Sequence, residues 1–296
     1  IKVRPVVRSA VDSGVAAQAV NPMMTVSRKP AMAKRLYMIL FFSLVGAACS
    51  TQPVTHAPEN DLGILWVKHA AEYPAITRQV YQSAAEDLDE FIADQNWSAM
   101  PGHPKQPGLP PAVILDVDET VVSNVDFQLA FERPFTNRKM YDFFQDHDAI
   151  PVAGVVEFVA AARAAGVMTF FVTNRPCEPI EGMPGECPQK EWTINELRSI
   201  GIETDADHVL LADEQGWDRA KIGRREHVAE NYRVIMLFGD DLGDFTPCVR
   251  KKLYGPCAKP ATKESRAQLI EDHRELWGHG WYILPGPMHG SWTSFQ

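Results

Sequence analysis

From position 62 onward, short apolar runs alternate with amphipathic stretches, which predicts strands and helices in turn. The runs are Ala112–Leu115, Val167–Val172, His208–Ala212 and Arg233–Phe238. Each is short and rich in β-branched or aromatic residues, as strands buried on both faces are. Between them, Pro151 is expected to open a helix with Val155, Phe158, Val159 and Ala162 on one face, and Gly166 to end it. Gln189–Ile200 and Asp218–Asn231 read as two more helices. Upstream, a helical period runs from Leu62 to Asn96 through Leu65, Val67, Ala71, Val80, Leu88 and Phe91, and predicts two helices broken near Pro74. Five prolines between Pro101 and Pro111 predict a stiff extended link into the first strand. Alternation of this kind predicts an α/β fold: a doubly wound, mostly parallel sheet with helices on both faces.

The polar residues cluster where the apolar runs stop. Ala112–Leu115 runs into Asp116-Val117-Asp118-Glu119-Thr120, three acids in four positions. Side chains alternate along an extended segment, so Asp116 and Asp118 point roughly the same way and crowd two like charges into one volume. A hard divalent cation such as Mg²⁺ would compensate them; a solvated acidic turn is the plain alternative. The second run ends in Thr173-Asn174-Arg175, Lys221 and Arg224 lie near the start of a helix, and the fourth run empties into Gly239-Asp240-Asp241-Leu242-Gly243-Asp244. Phe127, Phe131, Phe135, Tyr141, Phe143 and Phe144 fall within eighteen residues after the first acids. They read equally as a cap that stacks on a planar substrate and as an ordinary small core.

Charge narrows the choice of partners. The chain has 296 residues and a formal net charge of −9. Residues 1–48 hold seven Lys/Arg and one acid, leaving 22 basic against 37 acidic residues in the rest. Such a body is not a non-specific nucleic-acid binder. Met32-Ala33-Lys34-Arg35 reads as the charged start of a signal peptide, with Leu36–Ala48 as its apolar stretch. Residues 1–48 are therefore expected to be an upstream extension plus signal peptide, and 49–61 a flexible tether. Gly46-Ala47-Ala48-Cys49 resembles a bacterial lipobox, except that Gly46 stands where Leu is usual. Lipidation of Cys49, and ordinary cleavage nearby, are the two readings. Cys177, Cys187, Cys248 and Cys257 form an even set in two sequence-local pairs, which favours the disulfides 177–187 and 248–257 over a zinc site.

As an ordered set, D-x-D-E-T, Thr-Asn-Arg, a helix-start Lys and G-D-D-x-x-D resemble the haloacid dehalogenase (HAD) superfamily of aspartyl phosphotransferases over residues 110–250. Finer features resemble the bacterial class C, lipoprotein e type acid phosphatases: the Glu-Thr after the second Asp, Trp66…Gln79-Val80-Tyr81, and Ile283-Leu284-Pro285…His289-Gly290-Ser291-Trp292. The resemblance implies an acid phosphatase domain at 62–296, with a core at about 110–255. It also implies a small helical cap from 62–100 and 125–150 together with the C-terminal tail. It implies Asp116 as nucleophile, Asp118 as proton donor and acceptor, and Thr173, Asn174 and Lys221 on the phosphate. Mg²⁺ is expected among the Asp116 carboxylate, the Asp118 carbonyl and Asp240, with Asp244 a further metal-site acid. Asp241 replaces the family's more frequent Asn and has no assigned role.

The same resemblance places two aromatic clamps on a nucleotide base, here matching Phe127 and His289. His289 stands where Tyr is frequent, which moves the expectation from nucleoside 5'-monophosphates toward broader phosphomonoesters. The expected partners are a small phosphomonoester, a membrane reached through lipid on Cys49, and a second copy of the chain; nucleic acid is not expected. The expected location is the cell envelope, as an outer-membrane lipoprotein facing the periplasm or the cell surface. The rival reading is a surface binding lipoprotein with a relict site.

Overall fold

A computed structural model describes residues 59–131 and 134–295, starting with helices α1 (Glu59–His69) and α2 (Glu72–Ala93). Then follow β1 (Pro111–Leu115), β2 (Val122–Ser123), α3 (Val125–Ala130), α4 (Asn137–Asp146), β3 (Ile150–Pro151) and α5 (Val155–Ala164). The chain continues through β4 (Met168–Pro176), α6 (Pro188–Ser199), β5 (Val209–Ala212), α7 (Ile222–Ala229), β6 (Arg233–Gly239), α8 (Lys263–Asp272) and β7 (Trp281–Ile283). The extension, signal peptide and lipobox at Cys49 lie outside the described residues, as does most of the tether.

All four predicted runs are strands of one sheet, in the order β5-β4-β1-β6-β7, with every pair parallel. Alternate side chains of β1 enter opposite cores. Val113 and Leu115 pack with α2, α5 and α6, through Leu88, Phe158 and Leu197 among others. Ala112 and Ile114 pack with Val228 and Ala229 of α7 and with Trp281. Helices thus cover both faces, as the sequence predicted. The chain leaves β1 on one side for β4 and β5, then crosses to β6 on the other. Open α/β sheets bind ligands at the carboxyl ends of strands flanking such a crossing.

Several boundaries differ from the sequence reading. The helix break falls at Ala70-Ala71, and Pro74 sits in the first turn of α2, where a missing N–H leaves no bond unmade. Pro151 lies in the β2–β3 ribbon, paired with Val122, and α5 starts after Gly154 at φ +99°. Most of α2 belongs to the core layer rather than a cap, because Tyr81, Ala84, Leu88 and Phe91 are buried against the sheet. The sheet also reaches past 255: β7 satisfies the open edge of β6, and the Trp281 indole N–H donates to the Ala99 carbonyl at 2.7 Å. The segment carrying α3 and α4 leaves and rejoins the fold through the antiparallel β2–β3 ribbon. Both expected disulfides, Cys177–Cys187 and Cys248–Cys257, are present.

Candidate active site

β1 ends at the middle of the sheet, so its acids emerge between the ends of β4 and β6. Asp116 is 8% exposed, and its backbone N–H donates to the Phe238 carbonyl at 3.0 Å. Lys221, just before α7, reaches back to Asp116 Oδ1 and lies 2.7 Å from Asp244 Oδ1. Oxygens of Asp116, Asp240 and Asp244 all lie within 4.8 Å of one another. Burial drives the Asp116 carboxyl up to about 7; Lys221 opposes the shift, and Asp244 and Asp118 add to it. Burial and the Asp244 charge also raise Asp240 well above the ordinary value. With all three carboxyl groups ionised, one ammonium would leave two negative charges uncompensated, and all the donors are oxygen. That set fits a hard divalent cation. Glycine makes the crowding feasible: a Cβ on Gly239 would sit 2.2 Å from Asp244 Cβ, and one on Gly286 would sit 2.5 Å from Asp240 Oδ2.

Asp118 faces a different set of partners. Arg175 Nη2 lies 2.8 Å from its Oδ1, the Thr173 hydroxyl donates to Oδ2 at 3.2 Å, and Asn124 Nδ2 donates to Oδ1 at 2.8 Å. Burial alone would raise this carboxyl, but Arg175 and Asn124 outweigh it and hold Asp118 at about 2. Arg175 is itself buried and is shared with Glu196. The turn is fixed by Tyr81, whose hydroxyl donates to the Thr120 carbonyl at 2.8 Å. Glu119 adopts φ +62°, an uncommon backbone region for a residue with a side chain.

The cations of the 221–225 segment turn inward together, because positions 221, 224 and 225 share one helical face. Arg224 is fully buried and holds the Thr173 carbonyl and Asn174 Oδ1. Arg225 donates to the Asp244 carbonyl at 2.7 Å. Asp241 accepts the Gly243 N–H at 2.8 Å and the Ser291 N–H, so it ties the tail to the loop after β6. His289, two residues earlier on that tail, lies with Nε2 2.7 Å from Glu119 Oε2. Desolvation would lower the imidazole, but the Glu119 carboxylate more than reverses this and keeps it protonated above the ordinary histidine range.

A cavity of about 410 Å³ joins these groups to α3 and α4. Asp116, Asp118, Asn174, Lys221 and His289 line it on one side, and Phe127, Phe131 and Phe135 on the other. Thr173 is buried beneath it. Phe127 is only 1% exposed and stacks on Phe131 at 4.8 Å, so the more accessible ring is Phe135, which is half exposed. The aromatics are both readings at once, a small core whose rim is a cavity wall. Arg175 and Arg224, which the sequence offers as supporting cations, are interior groups, and Arg225 and Glu196 join them without having been singled out by the sequence. The spacing 221, 224, 225 was the available signal.

A carboxylate beside a buried ammonium, among acids that could hold a divalent cation, suits anionic esters, and on this sheet edge it points to the class of α/β phosphohydrolases. The comparisons give the family: residues 43–292 match the model described as HAD superfamily, subfamily IIIB (Acid phosphatase), and the chain belongs to that family. It is an acid phosphatase, a phosphomonoesterase. The class C acid phosphatase from Bacillus anthracis has a similar structure, with a TM-score of 0.61 and 26% identity over 79% of this chain and 86% of that one. The same enzyme with tungstate bound gives the same values. A search among curated proteins returns no match.

Proposed function

We propose that the enzyme is Mg²⁺-dependent and hydrolyses small phosphomonoesters through a phosphoryl group carried on Asp116. The observation that carries this is the junction of Lys221 with Asp116 and Asp244, beside Asp240. Asp116, Asp240, Asp244 and the Asp118 carbonyl would hold the cation, which would neutralise phosphate oxygens. An Asp116 oxygen attacks phosphorus as the bond to the leaving oxygen breaks, and Asp118 gives that oxygen its proton. Asp118 then takes a proton from water, whose oxygen attacks the aspartyl-phosphate, releasing phosphate and restoring Asp116. Thr173, Asn174 and Lys221 steady the phosphate. The tungstate bound by the Bacillus anthracis enzyme is a tetrahedral oxyanion like phosphate, which supports this assignment.

The rim formed by Phe131 and Phe135 suits planar or apolar leaving groups, nucleoside 5'-monophosphates among them. The buried Phe127 and the ion-paired His289 favour a broad specificity over a tight base clamp. Export and a lipid on Cys49 are supported by the lipobox-like segment and by two disulfides, which persist in oxidising compartments. Hydrolysis of p-nitrophenyl phosphate at mildly acid pH tests the mechanism. Chelation should abolish it, Mg²⁺ should restore it, and Asp116→Asn should remain inactive with Mg²⁺. Activity in Asp116→Asn would remove Asp116 as nucleophile.

A further inference from the structure

A polar depression of about 570 Å³ opens beside the catalytic cavity and shares Asn174, Arg219 and Arg250 with it. Lys251, Lys252 and Tyr254 complete its charged and aromatic lining, which holds four cations and no acid. In a chain of net charge −9, such a lining stands apart from the rest.

These positive charges are largely uncompensated. Lys251 rests over the Phe295 ring at 5.3 Å and Lys252 over the Tyr254 ring at 5.0 Å, so each is held by an aromatic face rather than a carboxylate. Arg219 is exposed and has no hydrogen-bond or ion-pair partner among the described residues. Only Arg250 meets an acid, Asp241, at 3.5 Å. The neighbouring Asp218 is turned to the backbone instead, where it accepts the N–H groups of Ala220 and Gly255. The Gly255 bond docks the Cys248–Cys257 loop beside Arg219, and the disulfide closes the loop that presents Lys251 and Lys252. A cationic wall is therefore held at a fixed place at the mouth of the phosphate site.

We propose that this groove binds a second phosphate on the leaving group, so that the preferred substrates are phosphomonoesters carrying two phosphates. The proposal rests on the phosphomonoesterase reading of the adjoining site and adds its substrate class. The first phosphate meets Lys221 and Asp116, while the leaving group turns the second toward Arg219, Lys251 and Lys252. Because both lysines and Arg219 are exposed, their attraction is screened by salt.

The test compares kcat/KM for a nucleoside 3',5'-bisphosphate with that for the 5'-monophosphate, and for a hexose 1,6-bisphosphate with that for the 6-phosphate, with Mg²⁺ at low ionic strength. The wild type should favour at least one bisphosphate by about tenfold, the combined effect of two or three exposed ion pairs. The preference should appear in KM and shrink at high salt. In Arg219→Gln/Lys251→Gln/Lys252→Gln the ratio should fall close to one. A wild-type ratio near one for both pairs, or a preference that survives the triple substitution, would overturn the proposal. Wild-type hydrolysis of p-nitrophenyl phosphate without a bisphosphate preference would sink the proposal alone. Hydrolysis of no ester at all would sink the phosphatase reading with it.

Discussion

Arg175 grips Asp118 with two nitrogens, Nη2 at 2.8 Å from Oδ1 and Nε at 3.1 Å from both carboxylate oxygens. The guanidinium is a positioning group, because it fixes where the carboxyl group proposed to donate the proton must stand and holds its pKa low. Arg175→Gln should raise the Asp118 pKa, because burial then acts with less opposition. The alkaline limb of the pH–rate profile should move to higher pH, while kcat falls about tenfold or more. A fall in kcat with an unmoved limb would mean that Arg175 is only structural.

The same substitution leaves the half-buried Asp118 and Glu196 without their cation. Unfolding in denaturant should show a loss of about 3 kcal/mol near neutral pH. Asp118, held at about 2, stabilises the fold above its unfolded pKa and loses that contribution as pH falls toward 2. The deficit of Arg175→Gln should therefore narrow below pH 4.

Asp116, raised to about 7, has the opposite sign. A carboxyl whose folded pKa exceeds its unfolded one favours the folded state when protonated, and that contribution is lost as pH rises through about 7. Without metal, this cluster should stabilise the protein less at pH 8 than at pH 5. Added Mg²⁺ replaces the missing positive charge, so its thermal stabilisation should be larger at pH 8. Equal gains in Tm at both pH values would place the cation elsewhere.

Lys221→Met separates charge balance from catalysis. Removing the ammonium leaves the Asp116–Asp240–Asp244 group more negative, so Mg²⁺ should bind more tightly, measured by thermal shift. Hydrolysis should nonetheless fall about 10²-fold, because the phosphate loses a fixed cation. Weaker Mg²⁺ binding would show that Lys221 organises the acids rather than competing for them.

Asp241→Ala should release the tail at Ser291 and unsettle His289. The loss of two backbone hydrogen bonds to a carboxylate, together with its contact to Arg250, predicts about 3 kcal/mol of destabilisation. KM should rise more than kcat falls, because the tail lines the cavity but does not carry the reacting atoms. An unchanged KM would leave Asp241 as a local support for the loop after β6 alone.

How much was legible follows from the range of each interaction. Hydrophobic runs are local, so the four strands, the parallel sheet and the acids at its edge could be read directly, as could disulfides that close nine- and ten-residue separations. β7 and α8 were not legible. Trp281–Ile283 is too short to show a period, and α8 has no buried side chain to mark a face.

The sequence by itself determined which strand delivers Asp116 and Asp118 and which later strand delivers Asp240 and Asp244, since an apolar run ending in acids needs no distant partner to be recognised. Only the tertiary structure decided that Arg175, Arg224 and Arg225 are interior groups, that Asp241 holds the tail, and that Phe127 is a buried part of the cavity wall. Whether an arginine is solvated or buried depends on what faces it. Asp118 lies 57 residues from Arg175, and Asp116 105 residues from Lys221. Folding brings those charges together, and their pairing offsets the cost of burying them.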